Sequence, residues 1–168
     1  MSKQKILHLP GHRHFVTFTT YKRRRFLNPD LTKDIIVEVL QKNLLTHEVF
    51  CTGFAVMSDH VHAILFGNEE FNISQFVQIW KKTTSYRIKK FYEREMPHFL
   101  ESFSDNDPIW QSGFYDLNLE TDERINEKLD YIHGNPVIEK LAPDLISWKW
   151  SSARFYELGE PVGVTITP

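Results

Sequence analysis

Cysteine is nearly absent from this chain: one residue, Cys51, occurs in 168. An internal disulfide is therefore excluded, and so is a zinc site built mainly from thiolates. The apolar neighbours of Cys51 make it a strand-packing residue rather than a reactive thiol. No apolar run reaches the roughly 18 residues of a membrane span, and Met1 to Pro10 lacks the apolar core of a secretory signal. The expectation is a soluble, cytoplasmic protein with no membrane partner. Charge of one sign is also lacking, because the formal net charge is -2 and supplies no global positive field for a polyanion. Seven glycines and eight prolines are scattered without a repeat or a low-complexity stretch, which argues against a linker between domains.

A hydrophobic fraction of 41%, with 14% aromatic residues, is enough for one domain with a large core. The reading is a single domain over 1–168, with its core at about 13–153 and an appended tail at 157–168. His14 to Thr20 alternates as a β-strand and runs into the basic cluster Lys22-Arg23-Arg24-Arg25. A helix follows from Asn28-Pro29-Asp30 to about His47, on the spacing of Leu31, Ile35, Val39 and Leu40. Val49–Ala55 and Val61–Phe66 read as a hairpin around Met57-Ser58-Asp59. Asn72 with Gln75 opens a long helix to about Tyr92, its core stripe formed by Ile73, Val77, Trp80, Thr84, Ile88 and Phe91. Beside that stripe, Gln78, Lys82, Ser85 and Lys89 form a polar face that serves either solvation or phosphate contact. A loop over Met96–Pro108 leads to a fourth strand within Ile109–Leu119, where Trp110 and Phe114 are core residues. A helix then begins at Thr121 or Asp122 and ends near Gly134-Asn135-Pro136. The order β-α-β-β-α-β with an added C-terminal helix predicts an α+β ferredoxin-like sandwich, an antiparallel sheet with helices on one face and the other face, or a helix-sheet edge, free for a ligand.

One tripeptide carries chemistry. His60-Val61-His62 lies at the start of a strand, where the period of two aims both imidazoles at one face. Such a pair serves either as metal ligands or as a half-buried histidine beside a solvated one. In the last helix, Tyr131 projects away from the apolar stripe of Ile125, Leu129 and Ile132, at ~100° per residue. Asn135, four residues on, shares its face if the helix persists to Pro136. His133 points elsewhere and is assigned a structural or surface role. Asp59 is either a turn residue or a partner that orients an imidazole.

His60-Val61-His62, together with Leu129-Asp130-Tyr131-Ile132-His133-Gly134-Asn135-Pro136-Val137 and Trp148-Lys149-Trp150-Ser151-Ser152, resembles the single-tyrosine transposases of the IS200/IS605 type. The likeness is closest to their branch associated with repetitive extragenic palindromes (REP), and it runs from about Arg13 to Ala153. It implies that His60, His62 and Asn135 hold a divalent metal, Mg²⁺ or Mn²⁺, although the donor set also admits zinc. A structural zinc site recruiting His8, His12 or His14 has no recognisable spacing. The resemblance further implies that Tyr131 attacks single-stranded DNA, leaving a 5′-phosphotyrosine and a free 3′-hydroxyl. DNA hairpins are the implied partners and the bacterial nucleoid the implied location, with Arg23, Arg24, Arg25, Lys82 and Lys89 as candidate backbone contacts. Two alternatives stand beside this reading: a domesticated hairpin-binding protein without productive transposition, and a metal-dependent hydrolase using water. Relatives act as monomers or as dimers that exchange the tyrosine helix.

Overall fold

The computed structural model describes residues 12–168. The strands are β1 (Arg13–Thr19), β2 (Phe50–Val56), β3 (His60–Phe66) and β4 (Tyr115–Leu119). The helices are α1 (Asp30–His47), α2 (Ile73–Glu95), α3 (Pro97–Glu101), α4 (Asp122–Ile138) and α5 (Ala153–Leu158). The sheet is antiparallel in the order β2-β3-β1-β4, the order of a ferredoxin-like sandwich. None of these helices is long and apolar enough to cross a membrane.

Strand alternation divides the sheet into two faces. Val16, Phe18, Val61, Ala63 and Leu65 point towards α1 and α2, in a core with Trp80, Ile88 and Tyr92. Phe15, Ala55 and Ile64 point the other way and pack against Ile125, Leu129 and Ile132 of α4. The added helix thus takes the face opposite the α1/α2 pair, and β3, covered on both sides, has every residue buried. All six residues of the expected α2 stripe are buried, and Asn72 caps that helix by accepting a hydrogen bond from the Gln75 amide at 3.0 Å. Trp110 is buried and donates to Thr84 Oγ1 at 3.0 Å, while Phe114 packs against the same core.

The fourth strand, Tyr115–Leu119, falls within the expected segment, and Gly113 turns the chain at φ 75° and leaves Trp110 as an isolated bridge to Thr20. Two local expectations need correction. The 96–108 segment contains α3, which starts with Pro97 in its first turn, where a missing N–H costs nothing. The C-terminal segment is no appendage. Val162, Val164 and Ile166 are buried in the main core, and the Thr167 amide donates to the Cys51 carbonyl at 2.8 Å. Together with Ser151 and Ser152, this segment covers the outer edge of β2, which would otherwise be an open template for association. Cys51 is fully buried, its thiol pushed up to about 12 by burial, in keeping with a packing role.

One glycine sets how closely α4 approaches the sheet. A Cβ on Gly53 would lie 2.4 Å from Leu129 Cδ2 and 3.1 Å from Ser152 Oγ. Gly53→Val is therefore expected to lower stability by about 1–3 kcal/mol through overpacking, measured by urea denaturation.

Candidate active site

Two elements distant in the chain, β3 and α4, build the site. At the start of β3, His60 and His62 project to the α4 face, where both are buried. Each ring is held by its Nδ1 atom. The His60 Nδ1–H donates to Asp59 Oδ1 at 2.6 Å, and His62 Nδ1 lies 2.7 Å from Thr17 Oγ1 on the neighbouring strand. A carboxylate only accepts, so the His60 proton is on Nδ1 and its Nε2 lone pair faces outward. Asp59 is itself anchored: its backbone carbonyl accepts from the Thr20 amide at 2.8 Å and its Oδ2 pairs with Arg23 Nε at 3.1 Å. The aspartate thus both closes the turn and orients the imidazole.

The second element is α4. Its N-terminus is capped by Thr121, whose Oγ1 accepts from the Arg124 amide at 3.3 Å. The helix runs through Pro136 to Ile138, further than the proline alone suggests. Pro136 removes one amide donor, but the surrounding packing of Ile132 and Pro136 keeps the last turn helical. Asn135 consequently lies one turn after Tyr131 on the same face. Its Nδ2 is 2.8 Å from His62 Nε2 and 3.4 Å from His60 Nε2. Rotating the carboxamide about its last torsion would present Oδ1 at the same point.

These donors fit a divalent metal. Both Nε2 atoms converge on one carboxamide, and both Nδ1 atoms are engaged, that of His60 by a carboxylate that fixes its tautomer and that of His62 by the Thr17 hydroxyl. His62 is held neutral, its pKa lowered to about 3 by burial first, with the nearby cations Arg23 and Lys128 acting in the same direction. Among the described residues no group of three His, Cys, Asp or Glu side chains is arranged for a metal, and the candidate set is two imidazoles with an amide. Besides Asp59, Glu139 brings a carboxylate near the pair, with Oε1 3.9 Å from His60 Nε2. Removing the outer partner of a ligating histidine costs 10–100-fold in metal affinity as a rough rule. Asp59→Asn is expected to weaken Mn²⁺ binding by about that factor, as read by isothermal titration calorimetry.

Tyr131 lies across the mouth of this centre, 47% exposed. Its ring is edge-on to His62 at 5.4 Å between centroids and to Phe15 at 6.1 Å. Lys128, one turn earlier, places Nζ 5.3 Å from the Tyr131 ring and 5.0 Å from that of Phe15. Phe15, Thr17, Arg23, Tyr115, Lys128 and Glu139 join the histidines, Tyr131 and Asn135 around an open cleft of about 470 Å³. Lys128 was legible as the helical neighbour of Tyr131 at i−3. Thr17 and Tyr115 were not, because they reach the cleft through strand register.

Of the five basic candidates, Arg23 alone lines this cleft. Its neighbour Arg24 is committed elsewhere, paired with Asp107 at 2.8 Å and stacked over Phe103 at 4.0 Å. Arg25 is exposed outside the cleft lining. Lys82 and Lys89 belong to α2, which covers the opposite face of the sheet. His133 is buried and bonded to Ser152 Oγ at 2.8 Å, a structural role. Of the other histidines, His14 pairs with Asp116 at 3.0 Å, His12 is exposed and His8 lies outside the described residues.

The family model described as "Transposase IS200 like" matches residues 10–135, which include both histidines, Tyr131 and Asn135. The chain belongs to the IS200-like transposase family. Its fold is that of a REP-associated tyrosine transposase solved bound to a REP hairpin, with 19% identity, a TM-score of 0.70, and 98% of this chain and 92% of that one covered. A candidate transposase from Deinococcus radiodurans R1 aligns at 20% identity and TM-score 0.54, over 79% of this chain and 95% of its own. The tRNA(His) guanylyltransferase of Saccharomyces cerevisiae shares the fold at 10% identity and TM-score 0.57, over 96% of this chain and 72% of its own. No curated protein matches the chain.

Proposed function

We propose that this transposase-family protein nicks and rejoins single-stranded DNA through Tyr131, with a divalent metal held by His60, His62 and Asn135. The observation that carries the reading is the placement of an exposed tyrosine hydroxyl-bearing ring beside a convergent His-His-Asn set, one helical turn from its amide. The phenol oxygen forms a bond to phosphorus as the bond from phosphorus to the 3′ oxygen breaks. The phenolic proton is lost, and the departing 3′ oxygen is protonated to a free hydroxyl. The product is a 5′-phosphotyrosine link that a 3′-hydroxyl can attack in reverse, so no energy of the phosphodiester is lost to water.

When bound, Mg²⁺ or Mn²⁺ supplies charge neutralisation at the phosphoryl oxygens. The chain's own groups do the rest. Asp59 and Thr17 fix the imidazoles, Phe15 and His62 hold the tyrosine ring, and Arg23 and Lys128 bring positive charge to the cleft. A local pair of cations reconciles phosphate binding with the net charge of -2. The hairpin-bound relative supports a DNA hairpin as the partner that delivers the single strand.

The test is a denaturation-resistant protein–DNA adduct, formed by wild type and absent from Tyr131→Phe, on labelled single-stranded DNA carrying the gene's flanking palindrome with Mg²⁺ or Mn²⁺. Hairpin binding without an adduct would favour the domesticated binding protein. Equal cleavage by both proteins would identify water as the nucleophile.

A further inference from the structure

We propose that Tyr115 is the platform on which the unpaired nucleobase beside the cleaved phosphodiester stacks. The proposal rests on the DNA-nicking reading and adds the residue that grips a base rather than a phosphate.

Three observations place Tyr115 in that role. Strand register pairs His62 with Thr17 and Thr17 with Tyr115, so the three form one row across β3, β1 and β4 on the α4 face. With strands spaced at about 4.8 Å, Tyr115 is rooted about 10 Å from His62, within reach of a base attached to a phosphate at the histidine pair. Next, Tyr115 is 55% exposed although it lies in the cleft lining. Tyr92 and Tyr156, by contrast, are sunk in the fold with hydroxyls donating to the carbonyls of Phe26 at 2.9 Å and Thr52 at 2.6 Å. Among the described residues, no hydrogen-bond partner holds the Tyr115 hydroxyl. Finally, the ring is braced. Phe15, buried beneath, meets Tyr115 edge-on at 6.2 Å and Tyr131 edge-on at 6.1 Å. One buried aromatic thereby supports two exposed tyrosines, one beside the histidines and one displaced along the sheet.

An exposed, braced aromatic face beside a cleft carrying Arg23 and Lys128 suits an unpaired base on a phosphate backbone. Stacking is tolerant of sequence because every base has a π-face. Tyr115 therefore distinguishes single-stranded from paired DNA, since a base engaged in a duplex stack offers no free face.

The experiment measures fluorescence anisotropy with full-length protein in EDTA, where binding is read without metal or cleavage. The probes are a short oligo-dT and an oligonucleotide of equal length made of abasic residues. Wild type is expected to prefer oligo-dT. Tyr115→Ala should lose about fivefold to a hundredfold in oligo-dT affinity and leave abasic affinity unchanged, while Tyr115→Phe should bind both like wild type. Equal loss on both probes, no loss on oligo-dT, or no oligo-dT binding by wild type would each overturn the proposal. Adduct formation by wild type, scored separately with metal, distinguishes failure of the platform from failure of the nicking reading.

Discussion

Tyr131→Phe is expected to abolish the covalent protein–DNA adduct and to reduce strand cleavage by at least about four orders of magnitude, the scale on which loss of a nucleophile acts in covalent enzymes. The substitution deletes one oxygen from a ring that is nearly half exposed. The ring's edge contacts with His62 and Phe15 do not depend on that oxygen, so stability should stay within about 0.5 kcal/mol of wild type. Metal affinity should also persist, because Tyr131 is not among the convergent donors. Gel analysis of adduct and cleavage, with a thermal melt and a Mn²⁺ titration of the same preparation, checks all four. Loss of adduct together with loss of fold would mean that the hydroxyl has a structural role that its exposure argues against.

The second large effect concerns the metal. Addition of Mn²⁺ at about 100 times its dissociation constant is expected to stabilise the wild-type protein by about 2.7 kcal/mol. For a chain of this size that corresponds to a rise of roughly 5–10 °C in the melting temperature. His62→Ala should abolish the rise, since it removes a proposed ligand whose Nε2 lies 2.8 Å from Asn135 Nδ2 and whose neutral state is secured by burial. It should also lower the metal-free stability, because the Thr17 hydroxyl loses its partner and a buried cavity opens. Asn135→Ala provides the cleaner control at the edge of the same set. Differential scanning calorimetry with and without Mn²⁺ separates the two effects, and a rise of equal size in His62→Ala would place the ion elsewhere.

Much of the site was readable because it obeys local periods. The strand's period of two set His60 and His62 on one face, and the helix's period of 3.6 put Tyr131 and Asn135 one turn apart. The capping pattern at Asn72 and Gln75 was equally local, and the cap forms as expected. The persistence of α4 through Pro136 was not readable in the same way. Proline biases the preceding residue against helix, and only burial of that turn against the sheet overrides the bias. The alternation of Val162, Val164 and Ile166 was present in the chain as well, but it acquires meaning only when β2 leaves an edge to be covered.

By itself, then, the sequence determined most of the secondary elements, the ferredoxin-like order and the faces on which the proposed metal ligands and the proposed nucleophile project. Tertiary structure alone decided that those faces meet. Asn135 and His62 are 73 residues apart, and their approach depends on α4 docking opposite α1 and α2 with Gly53 beneath Leu129. It also decided which charges serve the cleft: Arg23 is drawn in by Asp59, Arg24 is taken by Asp107, and Lys82 and Lys89 are carried to the far side of the sheet. The physical reason is range. Periodicity is a property of neighbouring residues, whereas docking and charge pairing depend on surfaces that exist only after distant segments have packed.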